Sequence, residues 1–201
     1  PSVASTSDID VVVERITALL LVRIVAIQAP LGTFQDLSTS NICRTVIMKS
    51  KPWPEKITPQ VIEQLRDFVK KMVYGYKDTP YHNFEHAYHV VISVSRLLDL
   101  VLSSGVSAGE KRERPPPSYG LRNDPLNQLA MIFAALVHDV EHQGIPNRQL
   151  ALEDDRLAIL YNDQSIAENW SLYIAFSELL QDEFTGLREV CFGANGAGQG
   201  Y

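Results

Sequence analysis

The stretch "PYHNFEHAYHV", residues 80–90, holds three histidines, His82, His86 and His89, and the whole chain of 201 residues has only five. The other two, His138 and His142, lie in a second short stretch, "HDVEHQGIPN", residues 138–147. Behind the first stretch, Val90, Val91, Val94, Leu97, Leu98 and Val101 recur at helical spacing. The pattern predicts a helix from about 82 to 102. In a helix, residues four apart share a face, so His82 and His86 form one pair and His138 and His142 another.

The same period runs through the rest of the chain. Residues 8–28 read as a helix with apolar residues over most of its circumference, packed on more than one side. A second helix starts at Thr58, an N-cap followed by Pro59 at the first helical position, and carries a stripe of Ile62, Leu65, Phe68, Val69, Met72 and Val73. A very apolar helix is expected at 125–142, with Gly144 and Pro146 beyond its end. Further helices are expected at 147–160 and 165–181. No strand-like alternation and no internal repeat are found, so the class is all-α. The domain reading is a helical N-terminal segment (1–54), a main body (55–190) and a glycine-rich tail without fixed structure (191–201). The Pro/Gly-rich stretch between the third and fourth helices reads as an insertion.

Composition excludes some functions. A formal net charge of −6 argues against a nucleic-acid binder that relies on a basic field. It leaves room for an anionic small substrate, because metal ions reverse the local potential. Two cysteines, Cys43 and Cys191, are too few for a disulfide scaffold and read as reduced thiols in an intracellular protein. The most apolar segment, at 11–30, is broken by Glu14, Arg15 and Arg23 and is too short to span a bilayer.

The two histidine patches point to a metal. Imidazole nitrogen and carboxylate oxygen suit divalent ions such as zinc or manganese, and Asp139 sits beside His138. A lone histidine on an apolar face is usually a hydrogen-bonded core residue. Two pairs with an adjacent aspartate are harder to explain so, because a buried carboxylate costs several kcal/mol unless something pairs it.

"YHNFEHA" followed by "HDVEHQGIPN" resembles the catalytic domain of the class I 3',5'-cyclic nucleotide phosphodiesterases, within the wider HD-type phosphohydrolases. That family carries a His-Asn-x-x-His pair and then His-Asp-x-x-His-x-Gly-x-x-Asn, both present here without gaps. The likeness continues through "LAILYNDQSIAENWSLYIAF" and covers about residues 55–182. It implies a multi-helix bundle that hydrolyses cAMP or cGMP with two divalent ions, zinc at the tight site and magnesium or manganese at the second. It implies His82 as the proton donor to the leaving oxygen, and His86, His138 and Asp139 as ligands of the tight metal. Asp139 would also reach the second metal. His142 and Glu168 would hold metal-bound waters, Asn147 would order the loop after the metal helix, and Tyr81 would line the phosphate end of the pocket.

There are departures. His89 stands where many members have aspartate and reads as a surface residue or a substitute near the site. Trp170 and Ser171 stand in the places of two histidines, so packing or hydrogen bonding there must differ. The family's fourth metal ligand, a downstream aspartate, and its purine-gripping glutamine are not found before Tyr201. The expectation is therefore the N-terminal half of such a domain, doubtful as a catalyst alone, with Asp163, Asp182 or a partner chain standing in for the missing carboxylate. Two other readings stay open: a truncated metal-binding or interaction fragment, and an HD-type phosphohydrolase acting on another phosphate ester.

Overall fold

The computed structural model describes residues 6–28, 54–103 and 120–193. Cys43, most of the Pro/Gly-rich stretch and nearly all of the glycine-rich tail lie outside them, as do the readings made there. Among the described residues there is no strand. The α-helices are α1 (Thr6–Gln28), α2 (Pro59–Gly75), α3 (Phe84–Ser103), α4 (Pro125–Val137), α5 (Asn147–Leu152), α6 (Arg156–Leu160), α7 (Ile166–Leu179) and α8 (Thr185–Phe192). Single 3-10 turns at Leu121–Asn123 and Asp182–Phe184 precede α4 and α8. No helix among the described residues is long and apolar enough to cross a membrane.

Helix α1 is the centre of the bundle. Every residue from Ile16 to Ala26 is buried, including Thr17 and Arg23, and α1 packs against α2, α3, α4 and α8. Its apolar circumference is thus a core signature, and α1 belongs to the same core as the helices that follow. Arg23 is completely buried and pairs with Asp99 of α3 at 3.3 Å. Burying a guanidinium is tolerated only with such partners.

Helix α2 begins as its sequence requires. Thr58 accepts a hydrogen bond from the Val61 amide and Pro59 occupies the first turn. Of the expected stripe, Leu65, Phe68, Val69, Met72 and Val73 are buried, and Val61 takes the buried place expected of Ile62, which is only half-buried. Phe68 stacks on Phe133 of α4 at 5.6 Å between centroids and meets Phe184 edge-on at 5.7 Å. On α3 the buried positions are Ala87, Val91, Ser95 and Leu98. Leu97, expected on the apolar face, lies on the solvent side at 61% exposure, one helical step of about 100° from Leu98. A smaller cluster of Leu150, Ala158 and Ile166 ties α5 and α6 to α7.

Three helix boundaries differ from the sequence reading. The third helix starts at Phe84, not at His82, because Asn83 is its N-cap: the Asn83 side-chain oxygen accepts from the His86 amide at 3.0 Å. The fourth stops at Val137, five residues before His142: residues 138–141 form a turn in which the Val140 amide bonds the Val137 carbonyl and Glu141 enters the left-handed region at φ +65°. The single helix expected at 147–160 is two, broken where Asp154 adopts φ +49° and Asp155 caps α6 through the Leu157 amide. At the other end, α8 runs through Cys191 and Phe192, past the boundary that composition placed at 191.

The aromatic contacts of Phe68 yield a direct test. Phe68→Ala removes a fully buried ring between α4 and the turn before α8, and is expected to cost about 3–5 kcal/mol. Urea unfolding followed by circular dichroism measures it, with a fall in midpoint and no change in slope.

Candidate metal centre

Neither histidine pair lies on a helix. His82 precedes α3 in a bend, and His138, Asp139 and His142 follow α4 in a tight turn. The helical i,i+4 reading of both pairs is therefore corrected. Of these four histidines only His86 sits within a helix, in the first turn of α3. Helices α3 and α4 pack against each other, and this brings the start of one to the end of the other.

The turn is held by a near-complete set of hydrogen bonds. The last carbonyls of a helix have no partner in the helix itself. Here the Ala135 carbonyl takes the His138 ring Nδ1 at 3.0 Å. The Leu136 carbonyl accepts from the Tyr76 hydroxyl at 2.7 Å. The Val137 carbonyl accepts from the Val140 amide at 3.2 Å. The Glu141 amide donates to the Gly75 carbonyl at 3.0 Å and the His142 amide to the Asp139 carbonyl at 3.0 Å. The Val140 carbonyl accepts from the Ser171 hydroxyl of α7 at 2.7 Å. Lys77 pairs with Glu141 at 2.8 Å outside this frame.

The result is a cluster of His86, His138 and Asp139 whose ligand atoms all lie within 4.8 Å of one another. His138 Nε2 is 3.2 Å from Asp139 Oδ2, and His86 Nε2 is 3.9 Å from the same oxygen. Two ligands of a tetrahedral zinc, each about 2.0–2.1 Å from the ion, stand roughly 3.3 Å apart. Two imidazoles and a carboxylate are the donor set zinc accepts, so the residues fit a divalent ion with small closing movements.

The protonation of the cluster follows from its partners. A carbonyl only accepts, so His138 Nδ1 carries a hydrogen and Nε2 is the atom facing Asp139. The hydrogen bond to Asp139 raises the His138 pKa above the usual histidine value, against the opposing effect of burial. For Asp139, burial works upward, but the His138 hydrogen bond and the charges of His138, His142 and His82 outweigh it and hold the carboxyl below its usual range. His142 is lowered, first by burial and then by His82. The Gly144 amide donates to His142 Nδ1 at 2.9 Å, so a neutral His142 keeps its proton on Nε2. Burial pushes the Tyr76 phenol far above its ordinary value, which keeps it a donor.

The remaining expected residues are placed as follows. His82 stacks on His142 with centroids 3.9 Å apart and planes 19° apart. Tyr81, exposed, covers the His86 ring at 4.5 Å. Asn147 donates to Glu168 at 2.8 Å and accepts from the Ala167 amide at 2.9 Å, which ties the start of α5 to the start of α7. His89 is exposed and lies against Tyr88. Trp170 stacks on Tyr173. Asp163 and Asp182 are not part of the cluster, which is the single group of three such residues among the described residues. Glu85 is exposed on the first turn of α3.

Sequence reasoning missed Tyr76, Gly75 and the purpose of Ser171. Ser171 carried a signal as a departure from the family pattern, whereas a tyrosine at a helix end carries none. Gly75 read as helix punctuation, but a Cβ there would come within 3.0 Å of the Val140 side chain.

Comparison with known proteins places the site-bearing segment in a family. The profile of the 3'5'-cyclic nucleotide phosphodiesterase family matches residues 81–191, just over half of the chain. The chain is similar to a 3',5'-cyclic-AMP phosphodiesterase (isoform F) of Drosophila melanogaster, 36% identical over 107 residues, 53% of this chain and 14% of the relative. It is similar to a probable 3',5'-cyclic-AMP phosphodiesterase of Caenorhabditis elegans, 36% identical over 115 residues, 57% of this chain and 14% of the relative. It is 32% identical to 3',5'-cyclic-AMP phosphodiesterase 4 of Dictyostelium discoideum over 116 residues, 57% of this chain and 10% of that protein. The match thus spans about a tenth to a seventh of the length of these relatives.

The His138–Asp139 pair determines a pH response. A metal can take His138 Nε2 only after its proton leaves, and that proton is held above the usual histidine pKa. Zinc affinity is expected to fall about tenfold per pH unit below that pKa and to level off above it. Calorimetry in buffers of different ionisation enthalpy should show proton release on binding at neutral pH. His138→Ala and Asp139→Ala should lose zinc at every pH.

Proposed function

The chain belongs to the 3'5'-cyclic nucleotide phosphodiesterase family, and from that premise we propose that its metal centre serves the hydrolysis of a 3',5'-cyclic nucleotide to the 5'-monophosphate. The observation that carries the proposal is the convergence of His86, His138 and Asp139, from opposite ends of two packed helices, on one point with His82 beside it. The relatives bear the name of cAMP phosphodiesterases, which makes cAMP the first substrate to test. The setting is intracellular, in keeping with the chain's sparse cysteines, and the partner is the nucleotide, not a nucleic acid.

His86, His138 and Asp139 would hold the tight ion, for which zinc suits the donor set. Asp139, with a second carboxylate oxygen, would also serve a harder ion, magnesium or manganese. Bound ions supply charge neutralisation at the phosphate and a water of lowered pKa. The protein's own residues do the rest. His82, poised at the rim on the His142 ring, donates the proton that the leaving 3'-oxygen needs. His142, lowered by burial, carries its proton on Nε2 when neutral. Glu168, fixed by Asn147, would hold a metal-bound water. Tyr81 shields the His86 face of the site from solvent.

The cluster itself favours a second reading. It offers three protein ligands, and neither Asp163 nor Asp182 adds a fourth. Three ligands still hold zinc when water completes the set, and in this second reading the chain binds metal without turning over substrate.

One experiment separates the two. The full chain, loaded with zinc and magnesium, is assayed with cAMP and with cGMP, and zinc content is measured alongside. The first reading expects release of the 5'-nucleotide, with His82→Ala lowering kcat by about 10²–10⁴-fold at unchanged zinc content. Zinc retained with neither nucleotide hydrolysed would sink turnover by this chain and leave the metal-binding reading.

A further inference from the structure

Two hydroxyl groups outside the metal cluster carry more than packing. Ser171 is completely buried on α7 and its Oγ lies 2.7 Å from the Val140 carbonyl. The Tyr76 hydroxyl, just past α2, lies 2.7 Å from the Leu136 carbonyl. The two acceptors bracket residues 137–139, the segment that carries two of the three ligands. Between them, the Gly75 carbonyl takes the Glu141 amide, and the absence of a side chain at Gly75 lets Val140 approach. The turn is therefore gripped from two sides by elements that contribute no ligand. Neither hydroxyl bonds to the ligand side chains of His138 or Asp139; Ser171 holds the Val140 carbonyl, and Tyr76 holds the Leu136 carbonyl beside the Asp139 main chain.

We propose that Ser171 and Tyr76 are positioning residues, which clamp the backbone of residues 136–140 so that His138 and Asp139 meet His86 in metal-binding register. The proposal rests on the metal reading above and adds to it the source of the geometry. A ligand's outer partners commonly set metal affinity by 10–100-fold. Here the partners act on the main chain rather than on the imidazole or carboxylate. A side chain without a hydroxyl at 171 leaves the buried Val140 carbonyl with one partner fewer and frees the turn to shift. The histidine that the resemblance expects at 171 is replaced by a smaller group that reaches the carbonyl directly.

The test uses the full chain in three variants: Ser171→Ala, Tyr76→Phe and, as control, Thr17→Val. Thr17 has a buried hydroxyl without a hydrogen-bond partner, on α1, and takes no part in the turn. In the metal-free proteins, amide exchange at residues 140–142 should become at least about tenfold faster in Ser171→Ala and Tyr76→Phe, with α1 unchanged. Zinc affinity should fall by about 10–100-fold in both. The visible spectrum of the cobalt-substituted protein should change, as it would not if stability alone were lost. Thr17→Val should match the parent in all three measurements. If Ser171→Ala does not fold, Tyr76→Phe decides alone. Unchanged exchange, or faster exchange with zinc affinity and cobalt spectrum intact, overturns the proposal. So does an equal effect from Thr17→Val. If the parent takes up no metal, the metal reading falls, and the exchange measurements alone then decide whether the clamp exists.

Discussion

The carbonyl groups at the end of α4 impose the constraint on which the site depends. A helix that stops inside a protein must find partners for its last acceptors, or lose about 1–3 kcal/mol for each one left buried and unpaired. Helix α4 is almost entirely apolar and ends against the core, with Leu136, Val137 and Val140 buried. Its acceptors are satisfied by a histidine ring, a tyrosine and the turn's own amides, and a serine takes the Val140 carbonyl in the turn that follows. Meeting that demand fixes the chain direction through residues 138–142. The ligand geometry is in this sense a by-product of backbone satisfaction.

The same hydrogen bonds assign the chemistry of the imidazoles. His138 spends Nδ1 on the Ala135 carbonyl and so offers Nε2 to a metal; His142 accepts at Nδ1 and so offers a proton at Nε2. Two histidines four residues apart thereby acquire opposite characters. Burial and the stacked His82 then lower the pKa of His142, while the hydrogen bond to Asp139 raises that of His138. The division into ligand and proton-bearing groups comes from which backbone group each ring meets, a feature invisible in residue type.

Much of the fold was legible. Helix α2 announced itself through Thr58, Pro59 and a clean stripe, and α1 through an apolar circumference that only a central helix can bury. The site residues were legible as types, because imidazole and carboxylate in two short patches suit a divalent ion and little else. Their local structure was not. The i,i+4 spacing of both pairs invited a helical reading, yet Asn83 capped one helix after His82, and the left-handed Glu141 followed the end of the other before His142. Capping by asparagine was readable in principle. A positive φ at a glutamate was not, since that backbone state costs energy in isolation and is paid back by contacts from Gly75 and Lys77.

By itself the sequence determined the all-α class, the family pattern and the list of residues able to bind metal, because periodicity, capping and donor chemistry are properties of short windows. Tertiary structure alone decided that the start of α3 meets the end of α4, that Ser171 and Tyr76 hold the turn between them, and that Asp163 and Asp182 stand apart from the cluster. Those outcomes depend on contacts between residues 31 and 60 positions apart. Such contacts form only once the apolar faces of α1, α2, α4 and α7 have found each other. No local pattern encodes which hydroxyl will then lie beneath which carbonyl.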